Sequence, residues 1–410
     1  MRHIIVVGAG ITGVTTAHSL LKRGHTVTLI EKHRYAGMET SFANGGQLSA
    51  SNAEVWNSWG TILRGLRWML RKDAPLLLNP WPSFHKYSWL AEFCFHIRHY
   101  RRNTIETTRL AIAARRHLYE LARLENIDFD LVERGILHIY HDATALDRAV
   151  RSNALLREAG LDRFRVTPDE MREIEPTLNG RYAGGLYTPS DATGDIHKFT
   201  RGLAAACERK GAVFCFGRSV AAIHAASDGV IVRLSGEEAE TITGEAVVIC
   251  AGTASRHLAT MLGDRINIYP VKGYSITVCL DDETSQQAAP TVSLLDEDAK
   301  IVTSRLGTDR FRVAGTAEFN GMNKDIRADR IEPLVRWSEK LFPSMATNRV
   351  VPWAGLRPMT PNMMPRVARG RRPGVFYNTG HGHLGWTLSA VTAELIAEQV
   401  NQSLLVGSYV

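Results

Sequence analysis

The sequence lacks the features that identify several large classes of protein. No run of apolar residues approaches the roughly 18 that a membrane-spanning helix requires. The five cysteines include no C-x-x-C pair, so neither a disulfide framework nor a zinc site is encoded. The sequence has no excess of proline, with 15 in 410 residues, and the charged fraction of 22% is ordinary, which excludes a disordered or coiled-coil chain. What is left is a globular protein long enough for two domains.

The N-terminus does not read as a signal peptide. Met-Arg-His is followed at once by the apolar residues 4–7, which suit a buried strand. The scattered cysteines agree with a reducing compartment. We therefore expect a cytoplasmic protein, either free or peripheral on the inner face of the cytoplasmic membrane.

A glycine-rich turn is the first sign of a nucleotide site. It follows the apolar strand, opens a helix and reads Gly8-Ala9-Gly10-Ile11-Thr12-Gly13. In such a turn the first glycine permits the bend, the second admits a pyrophosphate and the third lets the helix pack on the strand. Glu31, followed by Lys32, ends the next strand, where an acid binds a ribose diol and disfavours a 2′-phosphate. The pattern favours FAD or NAD over NADP.

Two further segments favour a flavin over a nicotinamide. Residues 38–47 form a small polar loop whose amides and hydroxyls suit a flat ring, and residues 375–400 repeat the order strand, glycine turn, helix. A second helix N-terminus stabilises negative charge on a reduced ring. Besides the first turn, Glu31 and Lys32, the candidate cofactor contacts are Thr40, Ser41, Asn44, Gly45, Gln47, Val220, Ala251, Gly252, Gly380, Gly382, His383, Leu384, Gly385 and Trp386.

Four segments carry a resemblance to a known family. They are Glu39-Thr40-Ser41 with Asn44 and Gln47, Tyr-Pro-Val-Lys-Gly-Tyr-Ser at 269–275, Ala-Gly-Leu-Arg-Pro-Met-Thr-Pro at 354–361, and Asn-Thr-Gly-His-Gly-His-Leu-Gly-Trp-Thr at 378–387. From about residue 3 to about residue 400 the chain resembles the D-amino-acid oxidase-like superfamily of FAD-dependent amine oxidoreductases, and within it the D-amino acid dehydrogenase small-subunit type. The resemblance implies non-covalent FAD and oxidation of a D-amino acid to an imine, and so to a 2-oxo acid and ammonia. It also implies that electrons pass to a quinone or another carrier.

Arg357 is the candidate anchor for such a substrate. A guanidinium binds a carboxylate through two charge-assisted hydrogen bonds, which orients the Cα–H bond as well as holding the charge. The resemblance adds the hydroxyl of Tyr274 as a second carboxylate ligand, although a lone tyrosine in a strand fits a core position equally well. His381 and His383 alternate with glycines, and we predict that His383 faces the flavin or the substrate. With no third ligand nearby in sequence, we predict no metal site.

Two departures from the family pattern leave the substrate open. Asn-Met-Met-Pro at 362–365 stands where the family usually has Asp-Gly-Thr-Pro, and His383 stands where threonine is common. Both positions are expected near the flavin or the substrate. One alternative is therefore an oxidase or dehydrogenase of a secondary amino acid such as D-proline, hydroxy-D-proline, sarcosine or another N-substituted glycine. Another is a flavin subunit of a larger electron-transfer complex.

Positive charge is concentrated between residues 59 and 102. Eight basic and only two acidic residues lie in 60–102, in a chain whose net charge is +7, and five of the eight tryptophans lie in or beside this stretch. Spacing over 59–72 predicts an amphipathic helix, either docked on an anionic membrane or redox partner or packed on its own domain. Without a recognition fold, nucleic-acid binding is not expected. The apolar positions of this helix are Trp59, Ile62, Leu63, Leu66, Met69 and Leu70, and the basic ones are Arg64, Arg67, Arg71 and Lys72.

The order of the elements predicts a mixed α/β fold with two interleaved domains. The Rossmann-like FAD-binding domain comprises residues 1–58, 190–262 and 346–410, and the antiparallel-sheet substrate domain comprises residues 59–189 and 263–345. The basic run at 366–372 is expected to be a loop. Assembly as a homo- or hetero-oligomer is left open.

Overall fold

The computed structural model describes residues 1–68, 75–226, 229–236 and 240–406. The strands are, in chain order, β1 His3–Val7, β2 Thr26–Glu31, β3 Gln47–Leu48, β4 Leu76–Leu78, β5 Ile136–Tyr140, β6 Phe164–Val166, β7 Gly184–Thr188, β8 Ala192–Thr193, β9 Val213–Phe216, β10 Val220–Ala226, β11 Gly229–Leu234, β12 Thr241–Gly244, β13 Ala246–Ile249, β14 Tyr269–Cys279, β15 Ser293–Asp296, β16 Ile301–Leu306, β17 Arg310–Phe319, β18 Val350–Met359, β19 Arg366–Arg369 and β20 Val375–Thr379. The α-helices are α1 Ile11–Lys22, α2 Trp59–Trp68, α3 Phe84–Phe95, α4 Tyr100–Leu124, α5 Ala143–Glu158, α6 Pro168–Ile174, α7 Ile196–Arg209, α8 Ser255–Met261, α9 Glu283–Ala288, α10 Ala328–Leu341 and α11 Gly385–Val406.

A parallel sheet forms the centre of one half of the molecule. Its order is β19-β20-β13-β1-β2-β9, and every neighbouring pair is parallel except β19 with β20. The side chains of β1 alternate between two core clusters, one shared with α1 and α11 and the other with α8 and the small sheet β10-β11-β12. A strand covered on both faces requires a continuous apolar run. Residues 4–7 supply it.

A second, largely antiparallel sheet forms the other half. Its order is β18-β14-β17-β16-β15-β5-β7-β6, with β4 attached to β17, and only the pairs β5–β15 and β4–β17 are parallel. The long strands β14 and β18 are paired from Tyr269 opposite Met359 to Val278 opposite Val350. Helix α10 packs on this sheet through a core cluster that includes Leu334. The paired strands β14 and β18 thereby form one wall of the space between the two sheets.

The chain passes between the two sheets more than once. Strands of the parallel sheet come from residues 3–31, 213–249 and 366–379, and strands of the antiparallel sheet come from the stretches between them. The predicted mixed α/β fold with interleaved halves is therefore confirmed. The domain boundaries given above stay a prediction.

Local sequence signals agree with the structure at one site and fail at another. Thr167 and Glu170 form a reciprocal capping box at the start of α6. The loop predicted at 366–372 is wrong for its first four residues, because Arg366–Arg369 forms β19 at the edge of the parallel sheet. Arg366 and Arg369, at the two ends of this strand, are exposed, and charged residues are common on edge strands.

Helix α2 begins at Trp59, as the spacing predicts. Trp59 and Leu63 are exposed, whereas Ile62 packs against a core cluster shared with α3 and β4. In the described ranges, no helix combines the length and the apolar character needed to cross a membrane. Part of the predicted amphipathic helix lies outside the described residues, namely the side chains of Leu66 and Arg67 and the whole of Met69, Leu70, Arg71 and Lys72.

Candidate active site

A cavity of about 560 Å³ lies where the carboxyl ends of β1, β2, β13 and β20 meet the antiparallel sheet. Open parallel sheets bind ligands at this edge, because the N-termini of the following helices point towards it. Of all the site residues predicted from the sequence, every one except Ala9 and Gly13 lines this cavity. Segments that are far apart in the chain therefore share one site.

The N-terminal glycine turn has the geometry expected for a nucleotide site. Gly8 has a φ of +103°, and a Cβ there would lie 2.7 Å from the carbonyl oxygen of Cys250. A Cβ on Gly13 would lie 1.7 Å from the carbonyl oxygen of Gly8, so α1 can pack this closely only with glycine. Gly10 is the N-cap of α1 and carries no side-chain cap. The positive end of α1 is thereby directed at the cavity.

Glu31 is held in a fixed orientation at the end of β2. Its carboxylate accepts hydrogen bonds from the amides of Ala9 at 2.7 Å and His33 at 2.9 Å. A carboxylate has further lone pairs, so it can still accept from a ribose diol. Lys32 pairs with Glu39 at 2.7 Å and is thus turned towards the polar loop. Ala9 serves the site through its amide although it does not line the cavity.

The polar loop at 38–47 is clamped between the two halves of the molecule. Its Ser41 hydroxyl accepts from the amide of Ile11 at 3.0 Å, and the side chain of Gln47 donates to the Ser293 hydroxyl at 2.8 Å. Three side chains of the antiparallel sheet donate to loop carbonyls: Ser275 to Ala43 at 2.7 Å, Ser304 to Gly45 at 2.6 Å and Arg312 to Asn44 at 3.0 Å. Both ends of the loop are therefore fixed before a ligand binds.

Sequence reasoning did not identify Ser275, Ser304 and Arg312. These residues lie on β14, β16 and β17, and only the packing of two distant parts of the chain brings them to the loop. The available signal is weak, namely a polar residue at an inward position of an otherwise apolar strand. Burial lowers the pKa of Arg312 to about 10, which agrees with a structural role inside the protein.

The C-terminal glycine turn closes the opposite side of the cavity. Gly380 and Gly382 have φ angles of +76° and +58°, which glycine adopts without strain. A Cβ on Gly380 would lie 2.5 Å from the side chain of Thr360. Helix α11 follows, and its Trp386 donates from the indole nitrogen to the carbonyl of Gly46 at 3.3 Å. The C-terminal turn and the polar loop thus form one continuous wall.

Arg357 is a half-buried cation on the wall formed by the antiparallel sheet. It stands on β18, and its guanidinium covers Gly273 of β14, where any Cβ would clash with it. Its Nη1 donates to the carbonyl of Thr316 at 2.8 Å. Burial lowers the pKa of Arg357 to about 10, with no carboxylate near it in the described part of the chain to oppose that shift. A cation without a counter-charge favours the binding of an anion.

The backbone that holds Arg357 is strained. The pairing of β14 with β17 shifts at this point, so that Thr316 and Ala317 together oppose Gly273 in a β-bulge. Thr316 has a φ of +65°, which is a costly conformation for a β-branched residue. Neither Thr316 nor Gly273 was predicted from the sequence, because a bulge depends on how two distant strands pair.

Tyr274 lines the cavity, but its hydroxyl is already engaged elsewhere. It donates to the Glu318 carboxylate at 3.0 Å, its oxygen lies 3.4 Å from the Asp325 carbonyl, and the residue is 1% exposed within the core. Burial and the adjacent carboxylate raise the pKa of Tyr274. These contacts favour the core interpretation, and the role of Tyr274 as a substrate ligand stays a prediction.

His383 provides a neutral aromatic surface near Arg357. Its ring stacks on Trp56, with centroids 4.8 Å apart and planes 19° apart. Its Nε2 donates to the carbonyl of Asn52 at 3.0 Å, which leaves Nδ1 unprotonated. Burial, reinforced by the charge of Arg357, lowers the pKa of His383 to about 4. The imidazole is therefore uncharged at pH 7.

His381 does not join His383 in a metal site. It is buried, its Nε2 lies 2.9 Å from the hydroxyl of Thr392, and burial lowers its pKa to about 3. The described residues hold no group of three or more side chains suited to a metal ion. The alternating glycines and histidines instead follow the contour of the cavity.

The residues that line the cavity fit a dinucleotide with a wide, flat ring at one end. A Cβ on Gly10 would meet nothing closer than the Ser41 hydroxyl at 3.5 Å, so this glycine leaves open the space that a phosphate needs. On this geometry the turn at 8–13 would hold the diphosphate and Glu31 the ribose. The loop at 38–47 and the C-terminal turn would hold the flavin.

Known proteins resemble this chain along nearly its whole length. A family model described as FAD dependent oxidoreductase matches residues 3–399. A protein named D-amino acid dehydrogenase 3, from Mesorhizobium japonicum, is 62% identical over 404 residues, which is 98% of each chain. A D-amino acid dehydrogenase from Dechloromonas aromatica is 40% identical over 408 residues, covering 97% of this chain and 96% of that one.

Solved structures share the fold. Glycine oxidase from Geobacillus kaustophilus matches with a TM-score of 0.75 at 23% identity, covering 98% of this chain and 95% of that one. L-proline dehydrogenase from P. horikoshii matches with a TM-score of 0.75 at 17% identity, covering 98% and 93%. Identities this low show the fold alone. The family and the FAD cofactor predicted from the motifs are both confirmed, and because the family model spans residues 3–399 the chain belongs to the FAD-dependent oxidoreductases.

Proposed function

We propose that this protein oxidises D-amino acids to 2-oxo acids and ammonia. The observation that carries the proposal is the guanidinium of Arg357 on the cavity wall, with no carboxylate near it in the described structure. Similarity along the whole chain to proteins named D-amino acid dehydrogenase supports a D-amino acid as the substrate. When bound, FAD supplies the acceptor for the hydride that leaves Cα.

Arg357 binds the substrate carboxylate and so orients the rest of the molecule. Its planar fork matches a carboxylate with two charge-assisted hydrogen bonds. Gly273 and the Thr316 carbonyl hold the guanidinium in one place. Fixed orientation of the Cα–H bond is the main contribution that this chain makes to the rate, since alignment converts binding energy into catalysis.

His383 and Trp56 stack to form an aromatic wall near this anchor. The uncharged imidazole does not compete with Arg357 for the carboxylate. The positive charge of Arg357 and the loss of water both lower the pKa of a bound amino group. That shift favours the free amine, which is the form from which hydride can leave.

The test is anaerobic reduction of the bound flavin by D-alanine, L-alanine, D-proline or sarcosine. Reduction is measured as the loss of flavin absorbance. We expect D-alanine to bleach the flavin faster than L-alanine. Faster bleaching by D-proline or sarcosine would assign a secondary amine as the substrate instead. A flavin that none of the four bleaches would contradict the proposal and favour an electron-transfer subunit.

We also propose that the electrons pass to a quinone or another carrier. The reduced enzyme, mixed separately with oxygen and with a water-soluble quinone, should be reoxidised faster by the quinone. Faster reoxidation by oxygen would identify an oxidase.

An exposed aromatic surface supports docking at a membrane, where a lipid quinone is dissolved. Four large side chains in this region are more than half exposed, with values of 66% for Trp59, 77% for Trp81, 89% for Phe84 and 55% for Phe95. The exposed cations next in the chain are Arg98, Arg101 and Arg102. Exposed aromatics beside cations suit an anionic lipid surface. We call these seven residues the docking surface.

Two basic residues of this segment do not belong to the docking surface. Lys86 is 2% exposed, and its ammonium donates to the carbonyls of Asn79 and Trp81. Arg64 lines the cavity together with Thr61 of the same helix. Helix α2 therefore faces the cavity on one side, while Trp59 of the same helix is exposed to solvent.

Docking is tested by sedimentation with vesicles of anionic or neutral lipid. We expect binding to anionic vesicles at low salt and release at high salt. Replacing Trp81 and Phe84 with serine should abolish binding, whereas Phe164→Ser, which removes an exposed phenylalanine on β6 outside the docking surface, should not. Equal binding by both variants would contradict this surface as the docking site.

A further inference from the structure

Glu39 is held by basic side chains from both halves of the molecule. Its carboxylate lies 2.7 Å from the ammonium of Lys32 and 2.8 Å from the imidazole of His33, which directly follow β2 of the parallel sheet. Lys324 comes from the antiparallel half and donates to both carboxylate oxygens, at 2.8 and 2.6 Å. Burial alone would raise the pKa of Glu39, but hydrogen bonds from Lys32, Lys324 and His33 lower it to about 2. The carboxylate is therefore ionised at neutral pH.

The loop that carries Lys324 is fixed to the antiparallel sheet on both sides of this residue. It joins β17 to α10 and spans residues 320–327. The ammonium of Lys272, a fully buried residue of β14, donates to the side chain of Asn323 at 2.7 Å and to the carbonyl of Asp325 at 3.2 Å. Lys324 is thus anchored to the antiparallel half through both of its neighbours in the chain.

The ion pair between Glu39 and Lys324 lies at the rim of the cavity. Both residues line the cavity, yet their side chains are 34% and 43% exposed, so they border its opening rather than its interior. The chain at Glu39 connects Glu31, which fits the ribose, with Ser41, whose hydroxyl accepts from the amide of Ile11 in the glycine turn. The ion pair therefore joins the two halves of the molecule beside the part of the cavity that fits the ribose and the diphosphate.

We propose that the Glu39–Lys324 ion pair is a gate for FAD, which must open before the cofactor enters or leaves the cavity. A dinucleotide that extends from Glu31 to the polar loop lies along the junction of the two halves, so a bond across that junction obstructs its passage. Lys32 and His33 keep the Glu39 carboxylate paired when Lys324 moves away, so opening leaves no unpaired acid. Such a gate acts on the cofactor and is independent of which amino acid the enzyme oxidises.

A gate has a kinetic signature that separates it from a direct ligand of FAD. A bond that must break for passage in either direction slows association and dissociation by the same factor, and it leaves the dissociation constant unchanged. A side chain that binds FAD directly slows dissociation and so lowers the dissociation constant. Measuring both rates therefore distinguishes the two roles of Lys324.

The test uses two variants that break the ion pair with opposite changes of charge. Lys324→Met removes a positive charge near the diphosphate and Glu39→Gln removes a negative one, so an effect common to both cannot arise from electrostatic attraction of FAD. Lys324→Arg keeps the ion pair. Lys198→Met is the matched control, because Lys198 is 44% exposed, pairs with Asp130 at 2.7 Å and does not line the cavity.

The measurements are the rates of FAD exchange and the stability of each variant. The change in flavin fluorescence gives the association rate when FAD is mixed with apoprotein, and the dissociation rate when holoenzyme is diluted. Urea unfolding of the apoproteins separates faster exchange from a general loss of stability.

We expect Lys324→Met and Glu39→Gln each to raise both rates about two- to five-fold, which is the contribution of a half-exposed ion pair. Their dissociation constants should stay within about two-fold of wild type, because the two rates change together. Lys324→Arg and Lys198→Met should exchange FAD at the wild-type rates. Lys324→Met and Lys198→Met should unfold at similar urea concentrations.

Three outcomes would overturn the gate. One is wild-type exchange rates in both Lys324→Met and Glu39→Gln. Another is faster dissociation of Lys324→Met with an unchanged association rate, which would make Lys324 a direct ligand of FAD. The third is a change of opposite sign in the dissociation rates of the two variants, which would assign the effect to charge alone. Failure of the proposed function looks different, since D-alanine would then not reduce the wild-type flavin while the exchange rates would still decide the gate.

Discussion

The two sides of the cavity are built by opposite means. The nucleotide side consists of backbone, with glycine turns at 8–13 and 380–382 that leave space and direct a helix end at the ligand. The substrate side consists of side chains on a sheet, where Arg357 lies across Gly273 beside a strained bulge. The first side selects a shape and a phosphate charge, whereas the second selects one small anion in one orientation.

This difference predicts which substitutions impair ligand binding on each side of the cavity. A backbone site tolerates no added atom but depends little on any single side-chain charge. A side-chain site depends on one or two groups whose loss leaves the fold intact. The predictions below test that division, beginning with the largest effect.

Gly13 and Gly10 should respond to the same change in different ways. Gly13→Ala places a Cβ 1.7 Å from the Gly8 carbonyl oxygen, so we expect a loss of about 3 kcal/mol or more of unfolding free energy. Gly10→Ala meets only the Ser41 hydroxyl at 3.5 Å and should fold normally as apoprotein, yet bind FAD at least about ten-fold more weakly. Urea unfolding of apoprotein and FAD titration measure the two effects. Normal FAD binding by Gly10→Ala would contradict the placement of the diphosphate.

Loss of the Arg357 fork should abolish most activity without affecting FAD. Arg357→Lys keeps a charge but loses the bidentate geometry, and we expect kcat/KM to fall by about 10- to 100-fold, equivalent to about 1.5–3 kcal/mol. Arg305→Lys is the control, since Arg305 also donates to backbone carbonyls, but lies outside the cavity. It should lose stability and keep kcat/KM. Equal kinetic losses in both variants would remove the case for Arg357 as the anchor.

His383 should make the substrate side sensitive to acid. Its pKa in the folded state is lowered to about 4 from an ordinary 6.5, so below pH 6.5 the unfolded chain binds a proton that the folded chain does not. Stability is therefore complete above pH 6.5 and falls as the pH drops towards 4. His383→Gln should reduce this slope by up to about 1.4 kcal/mol per pH unit. His224→Gln, at an exposed position on β10, should leave it unchanged. Urea unfolding between pH 4.5 and pH 7 provides the measurement.

The smallest effect is expected at the hydrogen bonds that join the polar loop at 38–47 to the antiparallel sheet. Ser304→Ala removes the hydrogen bond to the Gly45 carbonyl, and we expect FAD affinity to fall by about three- to ten-fold, equivalent to about 0.5–1.5 kcal/mol. Ser88→Ala removes a similar hydroxyl-to-carbonyl bond, to His85 within α3 and outside the cavity, and should not change FAD affinity. An unchanged affinity in Ser304→Ala would show that the polar loop holds its position without the antiparallel sheet.

Sequence reasoning was most reliable where function depends on the backbone. The turn at 8–13, the acid at 31 and the C-terminal glycines are local patterns, because a turn and the helix after it are specified within a few residues. The family resemblance extended this to the loop at 38–47 and to Arg357, and all of these segments line one cavity. The edge strand at Arg366–Arg369 was missed because its basic residues are typical of a loop, although it pairs with β20, the next strand in the chain.

The sequence by itself determined the fold class, the family and the FAD cofactor, since each of these is written in short motifs and in the order of strands and helices. Only the tertiary structure decided which groups the side chains around Arg357 contact. Tyr274 donates to Glu318, whereas Thr316 lines the cavity with its hydroxyl unpaired among the described residues. The physical reason is the register shift between β14 and β17, which places Thr316 in the bulge beside Arg357. A register is a property of two paired strands, and no pattern within either strand specifies it.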